Sequence, residues 1–375
     1  MDRLLVILFF STLPGFEVIL TNLFGFPITK FVIFFLCPLI LRNALSTKIP
    51  KALITIIALY VVGTLFKIIH FNGEYHRFDN IILLLWIIMV SIVKPSPLTK
   101  KLKLVKILTY TLLFLLVIDG IELLQRDFVS VFDRSDAVLY EGLQTFYSYL
   151  IFAQMCLLLS GLAIVLIRYK IYIRFNYLIL ALTPVLVFFS TSRGALIALA
   201  FLYIVNFDLF GKKFRWLFGF FVGIAIMSNS IFFDVLSSGF KGLGTKDDLS
   251  SFHRLNASKV GIEGFLESPL IGQGWDFVRN IAFIPPHNMP LQLLAELGLI
   301  GFCIELSLHI LVFFFLKNGT MLKGIHGVYL TFVFWSCYEN IGWLYGHRIL
   351  VVILMLGIIF IKENANSSNV RLSKH

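Results

Sequence analysis

The chain is built from long, nearly unbroken apolar runs separated by short polar stretches, without the amphipathic spacing of helices that pack on one face only. Runs of about 18 apolar residues are long enough to cross a hydrocarbon core of about 30 Å. Twelve such spans are expected, at 4–24, 27–41, 52–69, 80–93, 103–119, 143–167, 171–190, 195–210, 214–233, 289–316, 321–341 and 346–361. The second, fourth and eighth are short, so ten or eleven also fit the pattern. The predicted fold class is an all-α polytopic membrane protein, a bundle of about twelve transmembrane helices. Residues 1–375 are read as one integral-membrane domain, because hydrocarbon offers the backbone no hydrogen-bond partners outside its own helices. The first span holds Pro14 and Gly15 with no small-residue cleavage site after it, and is read as retained.

Charge sets the expected orientation. Only 14% of the 375 residues are charged, against 58% apolar, yet the formal net charge is +11. The basic residues fall in alternate loops: Arg42, Lys48 and Lys51; Lys94, Lys100, Lys101, Lys103 and Lys106; Arg168, Lys170 and Arg174; Lys212, Lys213 and Arg215; Lys317 and Lys323. The stretch from Asp119 to Glu141, in a loop of the other set, carries six acids and two arginines. By the positive-inside rule the basic loops and both termini face the cytoplasm. Anionic lipid accounts for the positive charge with no nucleic-acid partner.

Cys37, Cys156, Cys303 and Cys337 all lie in apolar runs without C-x-x-C spacing, and are read as packing residues. One long loop, about 234–288, is expected on the external side. Loops above roughly 12–15 residues are usually functional or disordered. Within it, "SSFHRLNASKVGIEGFLES" has Phe252, Leu255, Ile262 and Leu266 near helical spacing, with Ser250 or Ser251 as cap. Such a helix would lie on the outer membrane surface, apolar side down. Further on, Asn288 is placed to cap the helix that follows, with Pro290 in its first turn. His287 then stands just outside a helix N-terminus, where free amides favour anions. Gly298 and Gly301 would let a neighbouring helix approach closely.

The polar island "STSRG" breaks an apolar run at Thr191 to Gly194. Arginine costs roughly 2.5–3.5 kcal/mol at the centre of an inserted helix. A plain turn between two spans tolerates Arg193 beside Gly194. A guanidinium facing a cavity would instead fork onto phosphate oxygens. Arg254 read alone is a solvated residue on the loop helix, and His287 read alone is a helix-cap histidine. "GQG" at Gly272–Gly274 fits a plain turn better than an anion cradle. Glu339, Asn340, His347 and Arg348 form a further external polar cluster that helix-end anchoring explains equally well. Taken together, two arginines and one histidine on three external segments suit a diphosphate leaving group and a general base for an attacking hydroxyl. No paired acids or zinc-type ligands appear, so a metal-independent reaction without cofactors is the simpler expectation.

At these residues the chain resembles the O-antigen ligase and polymerase family of bacterial envelope glycosyltransferases. The pieces that carry the resemblance are "TSRGALIAL", "RLNASKVGIEGFLESPLIGQGW" and "PPHNMPLQLLAELGLIGF", within residues 187–302. The resemblance implies a multi-helix bundle in the bacterial inner membrane, with a long periplasmic loop. It implies transfer of an undecaprenyl-diphosphate-linked glycan to an acceptor hydroxyl on lipid A–core (a ligase) or on another lipid-linked repeat unit (a polymerase), with inversion and no metal. Arg193 and Arg254 would then bind the diphosphate and His287 would activate the acceptor, with Ser192, Asn288, Glu339 and Arg348 in support. The loop is short for a ligase, although the ligase reading comes first. A transporter or flippase of lipid-linked sugar is the rival from another class. It would place ionisable residues mid-membrane in several spans, where Lys67 and Glu305 are the nearest candidates.

Overall fold

A computed structural model describes residues 49, 51–69, 84–91, 97–125, 149–189, 193–209, 249–274, 276–284, 288–317, 323–337 and 348–361. Among these the chain is helical throughout, with no strand. The helices are α1 (Lys51–Ile69), α2 (Leu98–Gln125), α3 (Tyr149–Arg168), α4 (Ile173–Phe189), α5 (Arg193–Val205), α6 (Leu249–Glu267), α7 (Phe277–Ala282), α8 (Met289–Lys317), α9 (Lys323–Ser336) and α10 (Arg348–Ile361). A 3₁₀ turn, Phe207–Leu209, follows α5, and 84–91 is also helical. The expected spans at 4–24, 27–41 and 214–233 lie outside the described residues. One described helix, α8, is long and apolar enough to cross a membrane; five shorter apolar stretches accompany it, in α1, α3, α4, α5 and α10.

The bundle places α3 at its centre, where almost every side chain from Phe152 to Ile167 is buried. Helices α2, α4, α5 and α9 pack around it, α8 joins through α9 and α10, and α1 packs on α8. The outside is apolar: Ile54, Val62 and Leu65 on α1 and Phe175, Leu178, Leu182 and Val185 on α4 are exposed. The interior takes polar residues such as Thr64, Thr109, Asn176, Thr183 and Thr331. Several satisfy their hydroxyls on their own helix, as Thr109 does by donating to the Val105 carbonyl at 2.7 Å and Thr183 to Ile179 at 2.8 Å. An apolar exterior over a hydrogen-bonded interior is the arrangement that hydrocarbon solvent selects.

Basic residues gather at one end of the bundle. Arg168, ending α3, forks onto Asp208 with two 3.1 Å bonds and donates to Asn206 at 3.0 Å, tying α3 to the end of α5. Lys106 of α2 donates to the Tyr172 hydroxyl at 3.2 Å, between α3 and α4. Lys101 lies over Phe360 near the end of α10, and Lys317, ending α8, lies over Phe313, which itself meets His326 of α9. Arg193, at the other terminus of α5, is therefore about 20 Å along the helix from this basic end.

Two expectations about side-chain placement change. Cys156 is buried, but Cys303 and Cys337 are exposed on the outer surface and do not pack the core. Helix α6 begins at Leu249, which puts Ser250 and Ser251 inside its first turn and not ahead of it as caps.

Candidate functional site

The segment that carries the candidate residues is organised by a break in α8. Gly298 has φ 64 and ψ −168, so the helical hydrogen-bond ladder stops there. The freed groups are taken up by the loop after α6. Gln273 and Gly274 donate their N–H groups to the carbonyls of Ala295 and Glu296, each at 2.9 Å. In return Leu299 and Ile300 donate to the carbonyls of Pro269 and Leu270, at 2.8 and 3.1 Å. Every buried backbone group must find a partner, and this exchange supplies four across the break. The amides of Gln273 and Gly274 are thereby committed, so "GQG" is neither an anion cradle nor a free-standing turn. Gly298 receives this loop and not a neighbouring helix. Gly301 does face another helix, through Phe66 of α1.

The joint fixes the direction of α6. Its C-terminal side meets α8 at Leu299 and Ile300, while Gly261, one to two turns earlier, sits against Leu291. Contacts in the same order along both chains make α6 parallel to the first half of α8. Arg254, two turns before Gly261, is therefore carried toward the start of α8, where Asn288 lies. Helix α7 fills the space between them: Phe277 lies against Gly264, and Ala257, Val278, Ala282 and Ala295 form a small apolar core.

Asn288 performs the capping role expected of it. Its Oδ1 accepts the Leu291 N–H at 3.0 Å and its carbonyl accepts Gln292 N–H at 3.0 Å. Arg254 is partly buried, and its Nε is shielded from solvent without a hydrogen-bond partner among the described residues. A guanidinium held in that way has donor capacity left for an anion. Arg193 is the first residue of α5, and Arg348 the first of α10; both side chains lie outside the described residues. His287, Ser192 and Glu339 also lie outside them. The structure thus brings Arg254 and Asn288 to one end and starts α5 at Arg193.

A polar ladder below the cap was not singled out in the sequence. Gln292 and Glu296 follow Asn288 at four-residue intervals on α8, and both are buried. The Gln292 amide donates to both Glu296 carboxylate oxygens, at 3.2 and 3.3 Å. The signal was available: Asn, Gln and Glu at i, i+4 and i+8 mark one face of an otherwise apolar helix. Glu305, named beforehand only as a possible transport residue, is fully buried; Lys67's side chain lies outside the described residues.

Residues 177–305, from within α4 to the middle of α8, match the family model described as O-Antigen ligase. The matched segment holds α5, α6, α7 and the joint at Gly298. All three quoted motifs fall inside the match. No curated protein matches the chain.

Proposed function

We propose that the protein transfers a glycan from an undecaprenyl-diphosphate carrier to an acceptor sugar hydroxyl on the periplasmic face of the bacterial inner membrane. The observation that supports this best is that Arg254, with its unpaired Nε, is carried toward the capped start of α8, within the segment that matches the O-antigen ligase family model. In this reading the basic end of the bundle faces the cytoplasm, where anionic lipid and the positive-inside rule favour it. Arg193 and Arg254 hold the diphosphate and stabilise the charge that develops as the glycosyl–phosphate bond breaks. His287, one residue before the Asn288 cap, accepts the proton of the acceptor hydroxyl as its oxygen attacks the anomeric carbon. The nearby helix dipole disfavours an imidazolium and so helps keep the ring able to accept that proton. The residues invoked move protons and bind phosphate, and the reaction needs no metal. Ser192, Glu339 and Arg348 are assigned supporting roles at the same end.

The acceptor is assigned as lipid A–core, the ligase reaction, with polymerisation of lipid-linked repeats as the competing outcome. The test is reconstitution of the full chain in liposomes with an undecaprenyl-diphosphate glycan and both acceptors together. Product on lipid A–core supports the ligase; lengthened lipid-linked chains move the assignment to polymerase. Absence of both products in well-folded protein rejects glycosyl transfer.

A further inference from the structure

The unpaired Arg254 Nε has a counterpart of the opposite kind near the start of α8. Gln292, one turn inside the Asn288 cap, is 5% exposed, and its Oε1 has no hydrogen-bond partner among the described residues. A buried acceptor without a donor is costly, and in a native fold it calls for a reason. The neighbouring side chains supply no donor. Leu291, on one flank, lies against Gly261 of α6, and Met289 and Leu293, on the other, cluster with Phe66 of α1. The amide oxygen is a polar point in an apolar wall.

Glu296 sets the orientation of that amide. The Gln292 nitrogen donates to both Glu296 carboxylate oxygens, at 3.2 and 3.3 Å, and Glu296 is fully buried. The reversed amide would set Oε1 against at least one oxygen that can only accept, whether or not the carboxyl holds a proton. Glu296 lies one turn deeper in α8, on the face that Gln292 shares with Asn288. The amide nitrogen is therefore taken up from the deeper side, and the oxygen faces away from Glu296.

The chemistry of the missing partner is restricted. A diphosphate presents acceptor oxygens, which suit Arg254 and not Gln292. A sugar hydroxyl carries the O–H that Oε1 lacks. The fourth residue of a capped helix also stands beside the position that precedes the cap. In this sequence those two positions are Gln292 and the proposed base, His287.

We propose that Gln292 is a specificity-determining residue for the acceptor sugar, its Oε1 accepting a hydrogen bond from a hydroxyl near the one that His287 deprotonates. Glu296 is the positioning residue that holds the amide in this sense. The proposal rests on the glycan-transfer reading, since it needs a saccharide at this end of α8.

The test uses the full chain in liposomes with the undecaprenyl-diphosphate glycan and the acceptor that reacts there. It adds analogues of that acceptor, each lacking one hydroxyl of the attacked sugar other than the one that reacts. Wild type should lose about tenfold or more in kcat/KM with one analogue, because Oε1 is then left buried without a donor. Gln292→Met should lose a similar factor with the complete acceptor, keep its KM for the glycan donor, and treat that analogue and the complete acceptor alike. Glu296→Gln lets the two amides pair in either sense, and should show a smaller penalty for the same analogue. A wild type that treats every analogue alike overturns the proposal and leaves Oε1 to water only. Discrimination by Gln292→Met equal to that of wild type also overturns it, since a purely structural role lowers all rates without changing their ratio. If Gln292→Met fails to fold, the wild-type series and Glu296→Gln decide it. Absence of transfer to every acceptor by well-folded wild type rejects the glycan-transfer reading itself, and this proposal with it.

Discussion

Gly272 and Gly298 close one joint from opposite sides. A Cβ on Gly298 would lie 2.4 Å from the Leu270 carbonyl carbon, and one on Gly272 would lie 2.3 Å from that of Glu296. Both residues also have positive φ, 74 and 64. The loop after α6 enters the break in α8 so closely that neither position has room for a side chain.

Gly298→Ala and Gly272→Ala should each destabilise the protein by more than the roughly 1–2 kcal/mol that left-handed backbone alone costs an L-residue. Both obstruct the same exchange of hydrogen bonds, so the double variant should lose less than the sum of the two. Unfolding midpoints in detergent measure both effects. Unchanged midpoints would show that the loop and the break are not coupled.

Arg193→Lys and Arg254→Lys should each reduce glycan transfer by roughly tenfold or more, because a charged hydrogen bond is worth about 1.5–3 kcal/mol and lysine lacks the fork. Expression and unfolding should stay near wild type, since Arg254 makes no ion pair among the described residues. Transfer at the original rate by either lysine variant removes that arginine from the diphosphate site.

His287→Ala and Asn288→Ala are adjacent substitutions with different expected consequences. Without its base the protein should lose about 10²–10⁴-fold in transfer and keep donor binding. Asn288→Ala removes the Oδ1 bond to Leu291 N–H and should cost about 1 kcal/mol of stability, with transfer affected far less. Retention of more than about a tenth of the activity by His287→Ala, well below the loss a base implies, would direct attention to Glu339 or His347.

The outward side of α6 should sit in lipid. Leu255, Ile262 and Leu266 are exposed along it, and they continue into exposed Leu270, Ile271, Leu299 and Ile300 across the joint. Asn256, about a quarter-turn around the helix from Leu255 and Leu266, is also exposed and forms the polar comparison. With the native cysteines replaced, nitroxide labels at Leu266→Cys and Asn256→Cys can be compared for access to oxygen, which enters lipid, and to a water-soluble nickel chelate. Oxygen should dominate at 266 and nickel at 256. Equal nickel access at both would place α6 off the membrane.

Much of this protein follows from local chemistry and was legible without coordinates. Apolar runs set where helices form: α1, α4, α8 and α10 begin and end within a few residues of the expected spans. The Asn288 cap was legible because a cap is a contact between residues three apart. The alternation of basic residues anticipated which helix ends share the Lys106, Arg168 and Lys317 end.

What tertiary structure decided depends on residues far apart in sequence. Gly298 in isolation is a small residue on an apolar helix, and only the loop 269–274 turns it into a break, because the freed carbonyls of Ala295 and Glu296 need donors from another segment. The parallel course of α6, which carries Arg254 toward Asn288, follows from that joint and from Gly261 on Leu291. His309 and Tyr329 lie twenty residues apart, on α8 and α9, and only packing brings the hydroxyl to the ring. Helices form from neighbours along the chain; this interior was set by which polar groups hydrocarbon left to find each other across it.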